Sequence, residues 1–411
     1  MIQIAGKVFI NIDALDECTA RKELLQWLKH LASRKAQLVA TGRPEVEFQS
    51  AIPRPFGERN CIQLDKNVVN GDIRSYVEAT LKQKPDFVDK KLSPSILEEM
   101  RDKIGNGADG MFRLAACLLE SLARCLSPAA IEKDLKSLPS NLNETYRRMI
   151  QNIPSEYKSD AIRLLQFLVH AKWPLKLPEA VEVIATEINQ EPRGFNVKRR
   201  LFQAADILRY CPGLVIIAEV TNDSETVDEL HLAHFSVKEY LLEQAQFDLK
   251  SASIIITRTC LTYLGDIKNN CSTIRSDFPM ARYAAQYWTE YAVSAETSEE
   301  IVRSTVGSLK DQTTFQQWCR LYQADRWWVE EPGPPRASRL YYACLGRLSW
   351  AARDLVTEGA DVNAQGGEYG NALQAASYEG NLETVQLLSD KGADANEYGK
   401  VLQAVYGNLR L

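Results

Sequence analysis

Three acids follow an apolar run near the start of the chain, in "VFINIDALDEC" from Val8 to Cys18. Val8 to Ile12 is β-rich and nearly all apolar, the pattern of a strand buried on both faces of a parallel sheet. Asp13 stands where that strand must end. An acid there holds a divalent cation, directly or through water, while a second acid shortly after it polarises a water for attack on a phosphate. On this chemistry Asp13 is the magnesium ligand, and Asp16 or Glu17 orients the water. The same acids have a plainer use, because negative charge favours the amino end of the helix that follows.

The elements that must position them come next. In "TARKELLQWLKHLASR", Leu24, Trp27, Leu28 and Leu31 fall at the spacing of one buried helix face. "AQLVATGRP", Ala36 to Pro44, is a second short apolar strand closed by Gly42 and Pro44. Strand, helix and strand make a βαβ unit, and ligands of such sheets bind at the carboxyl ends of the strands. Asp13, Asp16, Glu17 and Arg43 all lie at that edge, where Arg43 is placed to sense a γ-phosphate. Strand, DxxDE and a strand ending in Arg-Pro together favour a nucleotide-hydrolysing ancestry over simple capping. The phosphate-binding loop GxxxxGK[ST] has no match in the 411 residues, and Gly6-Lys7 is followed by Val8 without it.

The chain is long enough for roughly two to four domains, each with its own core. It is 45% hydrophobic and 25% charged with net charge −5, which argues against a general nucleic-acid surface. Nine dispersed cysteines without a CxxC pair indicate reduced thiols. His231 and His234 have no cysteine nearby, so no zinc site is expected. The amino terminus lacks a signal-peptide pattern, and no apolar run approaches the roughly 18 residues of a membrane span. A cytoplasmic protein, with neither nucleic acid nor membrane as partner, is expected.

From Ala161, "AIRLLQFLVHAKWPLKLPEAVEVI" predicts a helix, a break at Pro174 and a second helix from near Pro178. A third helix over "RRLFQAADILRYC" and a two-stranded wing from "GLVIIAEV" and "DELHLAH" complete a winged helix. Lys198, Arg199 and Arg200 cluster as a DNA-reading helix would require, but a short charge run is more often a solvated face. In "HLAHFSVKEYLLEQ", Ser236 and Glu239 have capping-box spacing, which starts a helix after Phe235 with His234 at its mouth. Tyr283, Tyr287, Trp288 and Tyr291 recur at helical spacing and are expected to pack. "EEPGPPRAS", Glu330 to Ser338, is a turn-rich hinge. Beyond it "LYYAC" at Leu340 recurs as "LQAAS" at Leu373, and "EGADVNA" at Glu358 as "KGADAN" at Lys391, both 33 residues on, the ankyrin period. A third unit starts with "EYGKVLQAVYGN" from Glu397.

These motifs resemble the NACHT family of signal-transducing NTPases, in particular the large fungal set carrying ankyrin repeats. "DIRSYVEATL", "GADGMFRLAACLLESL" and "LPSNLNETYRRMI" look like that family's helical segment, and Thr41-Gly42-Arg43-Pro44 stands where it usually has Thr-Ser-Arg-Pro. The resemblance implies Walker B acids at Asp13, Asp16 and Glu17, sensor Arg43, a strand near Ile62 to Leu64 with the phosphate-loop strand between it and the one ending at Arg43, and in His234 a contact to the β-phosphate of ADP. The implied fold is mostly α with a partial α/β P-loop-type sheet: a partial NACHT domain over 1–65, a helical domain over 66–150, a winged helix over 151–247, a helical linker over 248–330 and an ankyrin solenoid over 337–411. The implied function is a signalling protein that couples nucleotide state to assembly, as a homo-oligomer and with a protein partner on the repeats. Without the phosphate loop no NTPase activity is expected, and ATP or ADP with magnesium belongs to the site only when that loop is supplied. An ankyrin adaptor with a vestigial NACHT scaffold, and an active switch whose loop is encoded upstream of Met1, are the alternatives.

Overall fold

The computed structural model describes residues 8–394 apart from 19, 33–35, 223–224, 268–273, 275–276 and 331, so the third repeat unit lies outside the described residues. Contacts divide the chain into Met1–Thr145 and Tyr146–Leu411.

In the first unit β1 (Val8–Ile12) and β2 (Ala36–Ala40) pair in parallel, with Ile10 opposite Leu38 and Ile12 opposite Ala40. Helix α1 (Arg21–Ala32) connects them. Leu25 and Leu28 of α1 pack with Leu15, Ile12, Leu38 and Phe48, the last from α2 (Val46–Ala51), which α3 (Pro53–Phe56) follows. Among the described residues only one sheet face is covered. Phe9 and Val39 on the alternate positions stay exposed, so β1 is not buried on both faces as its apolar run suggests. The expected strand near Ile62 does not form. Ile62 and Leu64 are 86% and 79% exposed in an irregular stretch, because no strand or helix among the described residues covers them. Trp27 lies at the exposed rim of α1, and Leu25 takes the core position instead.

A helical layer follows: α4 (Lys66–Gln83), α5 (Pro85–Val88), α6 (Pro94–Gly107), α7 (Phe112–Ala123) and α8 (Pro128–Lys136). Asp65, Ser93 and Ser127 cap three of them, each side chain accepting from first-turn N–H groups. Ile73, Val77, Met100, Ile104, Leu114 and Leu118 form the core.

The second unit begins within α9 (Leu142–Gln151). Its winged helix comprises α10 (Ser155–His170), β3 (Leu175–Lys176), α11 (Leu177–Ala185), the short hairpin β4 (Thr186–Glu187) and β5 (Gly194–Phe195), the wing strands β6 (Val215–Asn222) and β7 (Glu225–Leu232), and α12 (Phe235–Leu242). Strands β6 and β7 are antiparallel, and β3 adds a third strand through Leu175 opposite Leu230. The helix expected over "RRLFQAADILRYC" is a 3-10 turn at Ala204–Arg209.

Arg199 and Arg200 are not a solvated face, because both turn inward. Arg199 pairs with Glu187 and, at 2.6 Å, with Asp160, which Arg163 also holds at 2.6 Å. Burial pushes the Asp160 carboxyl up against the pull of those two guanidiniums. Glu182, 1% exposed, accepts from Arg200 Nε at 2.6 Å, Arg200 Nη2 at 3.0 Å and the Tyr263 hydroxyl at 2.6 Å. The rings of Phe195 and Phe278 lie 5.4 and 5.8 Å from the Arg200 guanidinium.

Tyr263 belongs to α13 (Leu249–Asp266), which packs with α14 (Ala281–Ala295), α15 (Glu299–Lys310) and α16 (Gln312–Leu321). Tyr283, Tyr287, Trp288 and Tyr291 of α14 are buried, the packing role their spacing predicts. Two helix pairs end the description: α17 (Arg339–Leu345) with α18 (Ser349–Thr357), and α19 (Ala372–Tyr378) with α20 (Leu382–Asp390). Between α16 and α17 the proline-rich segment is tied down by Gln323 Nε2, which donates to the carbonyls of Gly333 and Pro334 at 3.2 and 3.0 Å.

Removing one partner of a buried ion pair leaves an uncompensated charge. Arg200→Ala should therefore cost about 3–5 kcal/mol in the second unit, with Arg200→Lys recovering part. Urea denaturation with a signal from that unit checks it, and an unchanged midpoint in Arg200→Ala would refute the clamp.

Candidate functional site

The carboxyl ends of β1 and β2 bring Asp13, Asp16, Glu17 and Arg43 to one edge, as the βαβ reading requires. After Ile12 the chain turns sharply through Ala14, whose φ of 51° is left-handed, into a 3-10 turn at Leu15–Glu17. Thr41 organises the turn. Its N–H donates to Ile12 O at 2.9 Å, its carbonyl accepts from Leu15 N at 2.9 Å, and its hydroxyl accepts from Ala14 N at 3.0 Å while donating to the Asp13 carboxylate.

Asp16 is 7% exposed. Its Oδ1 accepts from Arg43 N at 2.9 Å and its Oδ2 lies 3.2 Å from Arg43 Nε. Its carbonyl accepts from Arg21 Nη2 at 2.6 Å, and Arg21 in turn pairs with Glu45. A Cβ at Gly42 would sit 3.3 Å from Leu15 Cβ and 3.4 Å from Asp16 Oδ1, so glycine there gives the two loops room to close. Glu17 is exposed and makes no side-chain hydrogen bond or ion pair among the described residues.

Chemically, both oxygens of Asp16 face Arg43, so as arranged this carboxylate is taken up by the arginine. Asp13 and Glu17 are the carboxylates open to solvent. No group of three or more His, Cys, Asp or Glu side chains placed to hold a metal ion occurs among the described residues. These residues do not by themselves assemble a cradle for a magnesium nucleotide, and no hydrolytic step is derived through one. Thr41 and Arg21 were missed by sequence reasoning. A hydroxyl beside a strand end is a usable signal for the first, whereas nothing local marks Arg21.

Asp13, Asp16, Glu17 and Arg43 belong to the first unit and His234 to the second. The expected Ser236 cap is corrected by the geometry: His234 itself caps α12, its Nδ1 accepting from Ser236 N at 3.1 Å. Ser236 Oγ lies 2.8 Å from that Nδ1 and 2.8 Å from the Tyr146 hydroxyl. The imidazole reaches the helix mouth more readily than the shorter serine, which bridges to Tyr146 instead. A ring nitrogen that accepts a backbone N–H carries no hydrogen, so the neutral His234 has its proton on Nε2.

Comparison with known proteins agrees with this organisation at the level of class. Residues 1–43 match the model described as Nephrocystin 3, N-terminal, a domain associated with NACHT proteins, and residues 113–255 match that described as GPI inositol-deacylase, winged helix domain. The chain is 32% identical over 289 residues to Azaphilone pigments biosynthesis cluster protein L of Monascus ruber. That alignment spans 63% of this chain and 61% of the relative. No solved structure matches. Among the described residues no helix is long and apolar enough to cross a membrane.

Asp16→Ala strips Arg43 of its carboxylate and should cost the first unit about 1–3 kcal/mol, whereas Glu17→Ala should be neutral within about 0.5 kcal/mol. Amide exchange over β1 and β2 separates the two. Equal loss of protection in both variants would show that Asp16 is not the tie.

Proposed function

We propose that the chain is a regulatory protein of the NACHT and ankyrin type, which binds a protein partner and does not turn over nucleotide with the residues present here. The observation that carries this reading is the register of the two helix pairs. Arg339 and Ala372, Leu345 and Tyr378, Ser349 and Leu382, Thr357 and Asp390 bound them, each 33 residues apart. The caps Ser338 and Asn371 keep that offset, as do the left-handed residues Arg347 and Gly380 and the left-handed glycines Gly359 and Gly392. A repeat that conserves helix bounds, caps and turns together supports ankyrin units, whose use is to present a surface to other proteins.

The Asp16–Arg43 tie supports the second half of the proposal, because phosphoryl transfer depends on positioned phosphates and on groups aimed at the attacking water. It also favours the simple adaptor among the alternatives. Homo-oligomerisation and a nucleotide contact at His234 are further parts of the family-type reading. The likeness to a pigment-cluster protein suits a regulator attached to a biosynthetic gene set.

Two measurements test the proposal. Purified chain with magnesium and ATP or GTP should show no hydrolysis above buffer, and magnesium-dependent turnover abolished by Asp13→Ala would overturn it. Trp350→Ala with Leu382→Glu, at exposed positions of α18 and α20, should abolish capture of a protein partner without lowering the melting temperature. Capture that survives both substitutions would move the binding surface away from the repeats.

A further inference from the structure

Strand β6 is an edge of the three-stranded sheet, whose order is β3, β7, β6. The bond from Ala233 N to Leu214 O at 2.8 Å sets which residues of β6 turn their backbone toward β7. Antiparallel ladders alternate, so Ile216, Ala218, Val220 and Asn222 bond to β7, while Ile217, Glu219 and Thr221 present N–H and C=O groups outward. The 3-10 turn at Ala204–Arg209 packs on the strand without taking any of those groups. Among the described residues they have no hydrogen-bond partner, and such an edge is a template for a further strand. We infer that the outer edge of β6 docks an extended segment of a partner protein as an antiparallel fourth strand, one in which lysine or arginine alternates with apolar residues.

The two faces of the edge define that occupant. On one face Glu219 stands directly opposite Asp228, in a pair without ladder bonds, which is the closer of the two spacings. Both acids are exposed, and neither makes an ion pair among the described residues. Like charges directly opposed destabilise a ladder, so a cation beside Glu219 relieves repulsion as well as adding attraction. The other face carries Ile216, 46% exposed, with half-buried Ala218 and Val220. A strand laid along β6 therefore meets acid on one side and an apolar strip on the other, and alternation of basic and apolar residues fits both.

The same acids set aside two other occupants. Antiparallel pairing of β6 with its own copy about a two-fold axis keeps equivalent faces together, which brings two Glu219 and Asp228 pairs onto one face. Nucleic acid would set phosphates against those carboxylates.

The full chain titrated with an eight-residue peptide alternating lysine and valine, the length of β6, tests the inference. It should bind at least about tenfold more tightly than a peptide alternating glutamate and valine, and than one with the same lysines gathered in a block. Glu219→Lys should reverse the order of the first two, with α13 amides reporting that the variant is folded. At saturation the Ile217, Glu219 and Thr221 amides should exchange about tenfold more slowly. In an antiparallel pair the residues bonded to these three share their face, so N-methylation of the lysine backbone nitrogens should abolish binding and N-methylation of the valines should spare it. Failure of the alternating lysine peptide to bind, equal affinity for the glutamate peptide, unchanged exchange at the three amides, or tolerance of lysine N-methylation would overturn the inference. Slowing of the same amides with rising concentration of the chain alone would give the edge to a second copy instead.

Discussion

A carboxylate taken out of water costs several kcal/mol unless a cation or a set of N–H and O–H donors replaces the solvent, and most of this architecture follows from where each buried acid finds its replacement. Asp16 finds Arg43, which closes the two strand-end loops on each other. Glu182 finds Arg200 and Tyr263, which joins α11 to α13. Asp325, 2% exposed, accepts from the Tyr341 hydroxyl at 2.8 Å and from Glu368 N at 2.9 Å, so the stretch before the helix pairs is fastened both to α17 and to the loop ahead of α19. Each acid thus joins segments distant in sequence, and breaking one releases two elements together.

That same constraint explains how much was legible in the residues beforehand. The βαβ order could be seen because apolar runs of Val8 to Ile12 and Ala36 to Ala40 bracket a stretch with helical spacing. The gathering of Asp13, Asp16, Glu17 and Arg43 followed from topology alone. Invisible were the partners. Whether Asp16 faces solvent or Arg43 depends on the turn at Ala14, which adopts a left-handed conformation that no glycine announces. Arg199 and Arg200 resemble a surface run because the acids they serve, Asp160, Glu182 and Glu187, lie 12 to 39 residues away. The "CIQLD" stretch failed as a strand for the converse reason. An apolar alternation makes a strand only where a neighbour takes its hydrogen bonds, and Ile62 and Leu64 have no paired strand among the described residues.

The helix pairs pose a stability problem that pairing also answers. Stacked repeats bury only their neighbours' faces, so roughly three are needed before an array stands alone. Two helix pairs are described here. The helical segment acts as the missing neighbour: Arg339 Nε donates to the Leu309 carbonyl at 2.7 Å, Lys310 holds Asp354 and Glu358, and the Trp318 ring lies against Tyr342 at 5.9 Å. The first pair consequently has less need of internal capping than the second, and it is the pair whose second helix lacks a cap of its own. Any change in α15 or α16 alters the surface on which the first helix pair is built, and by linkage a change in that pair acts back on those helices.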